Sequence, residues 1–143
     1  MEETTDLLEL VRNSSLLSIN THELTAISAL SGEVSAQEDS RVKYELETRV
    51  DDKTFGLRVT ARLNHSKGQM RVTIAADYKN AGPPPSQEVL AEFGPQVGFM
   101  TIYPYLRQAV SYLSSTVLGE HMLLAMIRRE DLLLSQEPPA DQG

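Results

Sequence analysis

The sequence contains no cysteine. Disulfides, thiolate metal sites and thiol catalysis are therefore excluded. It has no apolar run of about 18 residues, the length that a membrane-spanning helix needs. Direct membrane insertion is not expected. Basic residues are outnumbered, 13 Lys and Arg against 20 Asp and Glu, for a formal net charge of −7. That excess argues against nonspecific binding to nucleic acid or anionic membrane. Tryptophan is absent, and Phe and Tyr together number only eight. The first residues, Met1 to Asp6, are acidic and lack the basic region of a secretory signal, so a cytoplasmic location is expected.

Chemistry-bearing constellations are also scarce. His22, His65 and His121 have no second ligand at helical or strand spacing, so no metal site is expected. There is no G-x-S-x-G elbow and no glycine-rich phosphate loop after a strand. Glu45 and Glu47 share a strand face with Lys43 and Arg49, which predicts cross-strand ion pairing rather than acid–base catalysis. Arg58, Arg62 and Arg71 would project from the same polar face, which reads as solvated. Neither an enzyme nor a cofactor is expected.

What is present is pattern. At 143 residues the chain fits one domain. Thr4 or Thr5 is placed to cap a short helix ending at Asn13 to Ser15. From Leu16 the pattern is extended, with a phase slip near Glu23 and Leu24 that predicts a bulge. A polar loop follows from Gly32 to Ser40. Three clean alternations come next, Val42–Asp51, Thr54–Leu63 and Gln69–Tyr78, joined by short turns. They predict an antiparallel meander that, with the strand before it, makes a four-stranded sheet.

Asn80 to Pro85 carries three consecutive prolines and breaks the sheet. Ser86 is a good N-cap for a short helix from Gln87 to Phe93, ended by Gly94 and Pro95. Pro104 suits the first turn of a longer helix. Leu106, Ala109, Val110, Leu113 and Val117 form its apolar stripe, and Gly119 stops it. The run Met122 to Ile127 is expected to be extended and buried, with a last helical turn through Leu134. The expected architecture is α+β, a four-stranded antiparallel sheet with helices on one face. Residues 1–134 form the domain, and 135–143 form a disordered polar tail.

Phe99, Met100, Tyr103, Tyr105 and Tyr112 lie partly off the stripe. Such residues mark an interface or groove, or else finish the core. The hexamer Ile102-Tyr103-Pro104-Tyr105-Leu106-Arg107 resembles the aromatic-Pro-Tyr-x-Arg signature that opens the long helix of the SecB protein-export chaperones and their SecB-like relatives. The element order is similar over Leu16 to Leu134.

The resemblance implies an ATP-independent cytoplasmic holdase, assembled as a dimer of dimers, that grips unfolded clients in apolar grooves. By position it implies groove roles for Phe93, Phe99, Met100, Tyr103 and Tyr105. It implies an oligomer interface with Leu106, Val110, Tyr112 and Leu113. Clients would be preproteins, passed on to the motor ATPase SecA, or an aggregation-prone antitoxin of a toxin–antitoxin system. The tail, Pro138 to Gly143, lacks a recognisable SecA-binding end, which favours a dedicated client. The alternative from another class is an α+β domain binding one small lipid-like molecule in a closed cavity.

Overall fold

In a computed structural model of the chain, which describes residues 3–29 and 42–124, the alternating segments become strands of one sheet. The described elements are α1 (Leu7–Asn13), β1 (Ser14–Ser28), β2 (Val42–Val50), β3 (Thr54–His65), β4 (Gly68–Asn80), α2 (Gln87–Phe93) and α3 (Phe99–Leu113). The sheet is antiparallel throughout, in the order β1-β4-β3-β2. The meander β2-β3-β4 follows from its short turns. The placement of β1 beside β4 does not, because residues 29–41 are long enough to reach either edge.

Two bulges interrupt β1. Its register with β4 skips one residue between Leu16 and Ser18 and another between Thr21 and Glu23, leaving Leu17 and His22 without opposite partners. The second is the slip that the alternation predicts. The first has no sequence signal, since Leu16 and Leu17 are equally apolar and either could face the core. The bulges bring Ile19, Thr21, Leu24 and Ala26 onto the face that carries Ile74, Val72 and Met70 of β4.

That face forms the core. Phe55, Leu57, Val59 and Ala61 of β3 and Met70, Val72, Ile74 and Ala76 of β4 are buried beneath Val89, Leu90 and Phe93 of α2 and Phe99, Ile102, Leu106 and Val110 of α3. Ser86 caps α2 as expected, its hydroxyl accepting from the Val89 N–H at 3.1 Å. Ser86→Ala should therefore cost about 1 kcal/mol, read as a shift in urea midpoint.

Two expectations about helix starts are overturned. Thr4 and Thr5 do not cap α1, whose N-cap is Asp6 with no side-chain bond. Thr4 instead meets the proline segment. Its N–H donates to Pro84 O at 2.8 Å, its hydroxyl donates to Pro83 O at 2.9 Å, and its own carbonyl accepts from Ser86 N at 3.0 Å. Prolines have carbonyls but no N–H, so the segment needs outside donors.

The second correction concerns Pro104. The helical path does not stop at Gly94 and Pro95 and restart at Pro104. It runs on from α2 through a π-helical turn, Gly94–Gly98, into α3, so Pro104 lies inside α3. The wide turn takes up Pro95, and Pro104 forgoes one helical bond. Burial of Phe99, Ile102 and Tyr103 on the core side offsets that loss. The turn also needs its glycine, since a Cβ at Gly98 would run into Leu57. A second π-helical turn, Ser114–Leu118, ends at Gly119 in the left-handed region (φ 76°), as expected.

Beyond Gly119 the chain doubles back along α3. Ser114 Oγ accepts from Met122 N at 2.8 Å, and Arg107 Nε donates to Leu124 O at 2.8 Å. Of the expected buried run, Met122 is half-buried, Leu123 exposed and Leu124 buried. The rest of that run, the last helical turn and the polar tail lie outside the described residues.

Candidate functional site

The polar face of the sheet offers no reactive constellation. Arg58 Nε donates to Glu47 at 2.8 Å, Arg62 to Glu45 at 3.3 Å and Arg71 to Glu23 at 3.1 Å. The three arginines neutralise acids on neighbouring strands, so they are not a patch awaiting an anion. Each partner acid whose shift is resolved sits below the usual carboxylate range. Glu47 is lowered first by its bond from Arg58, and Glu23 first by the Thr25 hydroxyl and then by Arg71. Among the described residues no group of three His, Asp or Glu side chains is placed to hold a metal. Ser111 Oγ lies 2.7 Å from His121 Nε2 on the exposed surface, but no carboxylate among the described residues bonds that ring.

The apolar side holds the candidate site. Four strands about 4.8 Å apart set the outer two roughly 14 Å apart, and one helix with side chains is only about 10 Å wide. Helix α3 lies over β4 and touches β1 and β3. Both margins of the inner face therefore emerge from under the helix. On the β1 margin Leu16 and Leu24 are half exposed, and the adjacent Leu17 and Ile27 also face solvent. On the β2 margin Val42, Tyr44 and Leu46 are half-buried and Val50 is exposed.

Aromatic rings line the β2 margin. The Tyr44 ring meets Phe99 edge-on, 5.0 Å between centroids at 82°. Tyr103 lies 5.4 Å from Phe99 and 6.4 Å from Tyr44. Burial pushes the Tyr44 phenol far up, with the nearby Tyr103 hydroxyl adding to the shift. Burial also raises Tyr103, partly offset by its bond from Tyr44 and by Arg107. Met100 and Val97 complete the wall, both half-buried.

A second aromatic cluster is sealed. Phe93 meets Phe55 and Tyr78 edge-on, each at 5.1 Å. Burial raises the Tyr78 phenol. Its hydroxyl lies beside that of Thr101, which donates to Val97 O at 3.0 Å and offsets part of that rise.

These three tyrosines predict alkaline lability. In the unfolded chain their phenols ionise near the ordinary value of 10.0, whereas burial in the fold holds them neutral. Stability is intact below that pH and falls as pH climbs above it toward the raised folded values. The urea midpoint should hold up to about pH 10 and fall as pH rises beyond it.

The sequence-derived site residues thus separate. Phe93, Phe99 and Tyr103 are buried within the subunit, as are Leu106, Val110 and Leu113, which face the sheet. Tyr105 is 46% exposed and Tyr112 61%, on the outer face of α3. Near them Leu123 borders a shallow hollow with Pro104, Arg107 and Gln108. Sequence reasoning passed over Tyr44, Leu46, Leu16 and Leu24 as site residues. Their signal was an apolar residue on the inner face of a strand, and nothing local says whether such a strand ends at an edge.

No protein-family model matches the sequence, and no curated protein matches it. Solved structures do resemble the fold. A SecB-like chaperone of Mycobacterium tuberculosis, solved in complex with a ChAD peptide from the HigA1 antitoxin, superposes with a TM-score of 0.73 at 17% identity. The match covers 85% of this chain and 92% of that one. A protein of unknown function from Streptococcus agalactiae matches with a TM-score of 0.58 at 6% identity, over 79% of this chain and 97% of that one. With its four-stranded antiparallel sheet in the order β1-β4-β3-β2 under one helical layer, this chain has the SecB-like chaperone fold.

Proposed function

We propose that this protein is an ATP-independent chaperone that holds unfolded or aggregation-prone polypeptides. The observation that carries the reading is the apolar surface left outside a complete core. Leu16, Leu24 and Ile27 on β1, the Tyr44 margin of β2, and Tyr105, Tyr112 and Leu123 beyond α3 are all open in one subunit. A monomeric domain seldom leaves that much apolar surface open without a partner for it. The β1 margin serves self-association into a dimer or tetramer. The half-buried aromatic margin serves the client.

Such a machine needs no reactive group and no nucleotide. Each apolar contact contributes about 25 cal/mol per Å² removed from water. Several weak contacts along one client chain add through effective concentration. A dedicated antitoxin client fits better than general export, because the structural neighbour was solved with an antitoxin peptide. Residues 1–134 make up the working domain in the cytoplasm, with 135–143 as a polar tail.

The test is turbidity of a chemically unfolded client diluted into buffer. At stoichiometric amounts the protein should suppress most of the scattering, without ATP. Undiminished aggregation rejects the reading. A monomer that instead takes up one small lipid-like molecule in a closed cavity would replace it.

A further inference from the structure

We infer that Ser111 is an activated nucleophile with His121 as its general base, and that the hollow beside them hydrolyses small carboxylic esters. This is a second activity, independent of the chaperone reading. Ser111 Oγ and His121 Nε2 are 2.7 Å apart, although the residues are ten positions apart in the chain. The fold builds that contact. Gly119 turns the chain in the left-handed region, and the residues on each side of His121 are tied back to α3. Glu120 N donates to Ser114 O at 3.3 Å, and Met122 N donates to Ser114 Oγ at 2.8 Å. Further on, Leu124 O accepts from Arg107 Nε at 2.8 Å. The imidazole is thereby held beside the helix face that carries Ser111.

Ser111 also departs from the habit of a serine within a helix, whose hydroxyl commonly bonds a carbonyl one turn back. Ser114 follows that habit, donating to Ser111 O at 3.1 Å. Among the described residues the Ser111 hydroxyl bonds the imidazole alone. It donates to Nε2 when the ring carries its proton on Nδ1, the form a general base needs. Gln108, Pro104, Tyr112 and Leu123 line the same hollow. Gln108 stands three positions before Ser111, so the two are neighbours on the helix surface. Its exposed carboxamide is placed to donate to a carbonyl oxygen on which charge develops. Tyr112 and Leu123 give a short acyl chain an apolar wall. With no carboxylate among the described residues to orient the ring, the site is a dyad and turnover is slow.

Ser111 Oγ attacks the ester carbonyl carbon while its proton passes to His121 Nε2. The tetrahedral adduct breaks its bond to the leaving oxygen, and the alcohol departs with that proton. An acyl-Ser111 remains. Water then gives a proton to Nε2 and attacks the acyl carbon. The bond from Oγ to the acyl group breaks, and the proton returns to Oγ. One ester and one water thus become one carboxylic acid and one alcohol.

The test uses the full-length protein with para-nitrophenyl acetate and, separately, an alkyl fluorophosphonate. The acetate should give a burst of nitrophenolate, with peptide mass spectrometry placing the acetyl group on Ser111. The fluorophosphonate should label Ser111, releasing fluoride, and spare Ser114 and Ser115. His121→Ala should slow labelling about a hundredfold, and Gln108→Leu about tenfold. Ser111→Ala should abolish the burst. All three variants should keep the urea midpoint, since none of these side chains belongs to the core. Absence of label on Ser111, or labelling at full rate in His121→Ala, overturns the inference. Acetyl groups confined to lysine and histidine side chains also overturn it, being the background reaction of any exposed amine or imidazole. Suppression of client aggregation by Ser111→Ala, at the level of the unaltered protein, keeps the two activities apart. Loss of that suppression along with the burst would merge them and overturn the claim of a second activity.

Discussion

Phe99→Ala is expected to cost about 3–5 kcal/mol of folding stability, the range for removing a fully buried phenylalanine. The Phe99 ring is 0% exposed and holds two other rings, Tyr44 at 5.0 Å and Tyr103 at 5.4 Å. The void left behind would lie between β2 and α3, where Tyr44 has already lost cover on its outer side. A small domain has only about 5–15 kcal/mol in total, so the variant should lose about a fifth or more of its urea resistance. Tyr105→Ala, two positions past Tyr103 and 46% exposed, should change stability by no more than about 0.5 kcal/mol. A loss below about 1 kcal/mol at Phe99 would mean the ring is accessible, and a core role for it would be wrong. The contrast separates two aromatics that the sequence places in one cluster.

The double variant Leu24→Lys, Ile27→Lys is expected to turn an oligomer into smaller units. The two side chains stand on opposite faces of the edge strand β1, Leu24 on the inner face and Ile27 on the outer, 49% and 62% exposed in the single subunit. Half-burial of such a side chain in an interface contributes about 1 kcal/mol. A two-fold contact counts each position twice, so four side chains are involved and about 4 kcal/mol is lost. That is roughly a thousandfold in dissociation constant. Light scattering should report the fall in mass at micromolar protein. Folding should be nearly untouched, because exposed positions away from special backbone geometry tolerate lysine. An unchanged mass would remove β1 from the assembly and leave the outer face of α3, with Tyr112 and Leu123, as the contact.

Legibility in the sequence followed the range of the physics. Alternation is local, and it assigned the inner and outer faces of β2, β3 and β4 correctly because a pleated strand has period two whatever surrounds it. The ion pairs Arg58–Glu47 and Arg62–Glu45 follow from that same alternation plus a short turn. Ser86 and Gly119 act through their own backbone, so their caps were readable as well. Pro104 misled for the same reason. Its local preference is for a helix start, and only the burial of Phe99 and Ile102 beneath the helix extends the path upstream.

By itself, the sequence determined an α+β domain without cysteine, with a four-stranded antiparallel sheet and one apolar face to cover. It also placed the aromatic cluster around Tyr103 and an excess of acidic residues. Tertiary structure alone decided that β1 lies beside β4, that β2 is an edge among the described residues, and that Phe99, Tyr103 and Leu106 are hidden while Tyr44 and Leu24 lie at the margins. The reason is geometric. Which apolar residues remain open depends on the width of one helix set against the width of four strands, and no residue carries that ratio in its own neighbourhood.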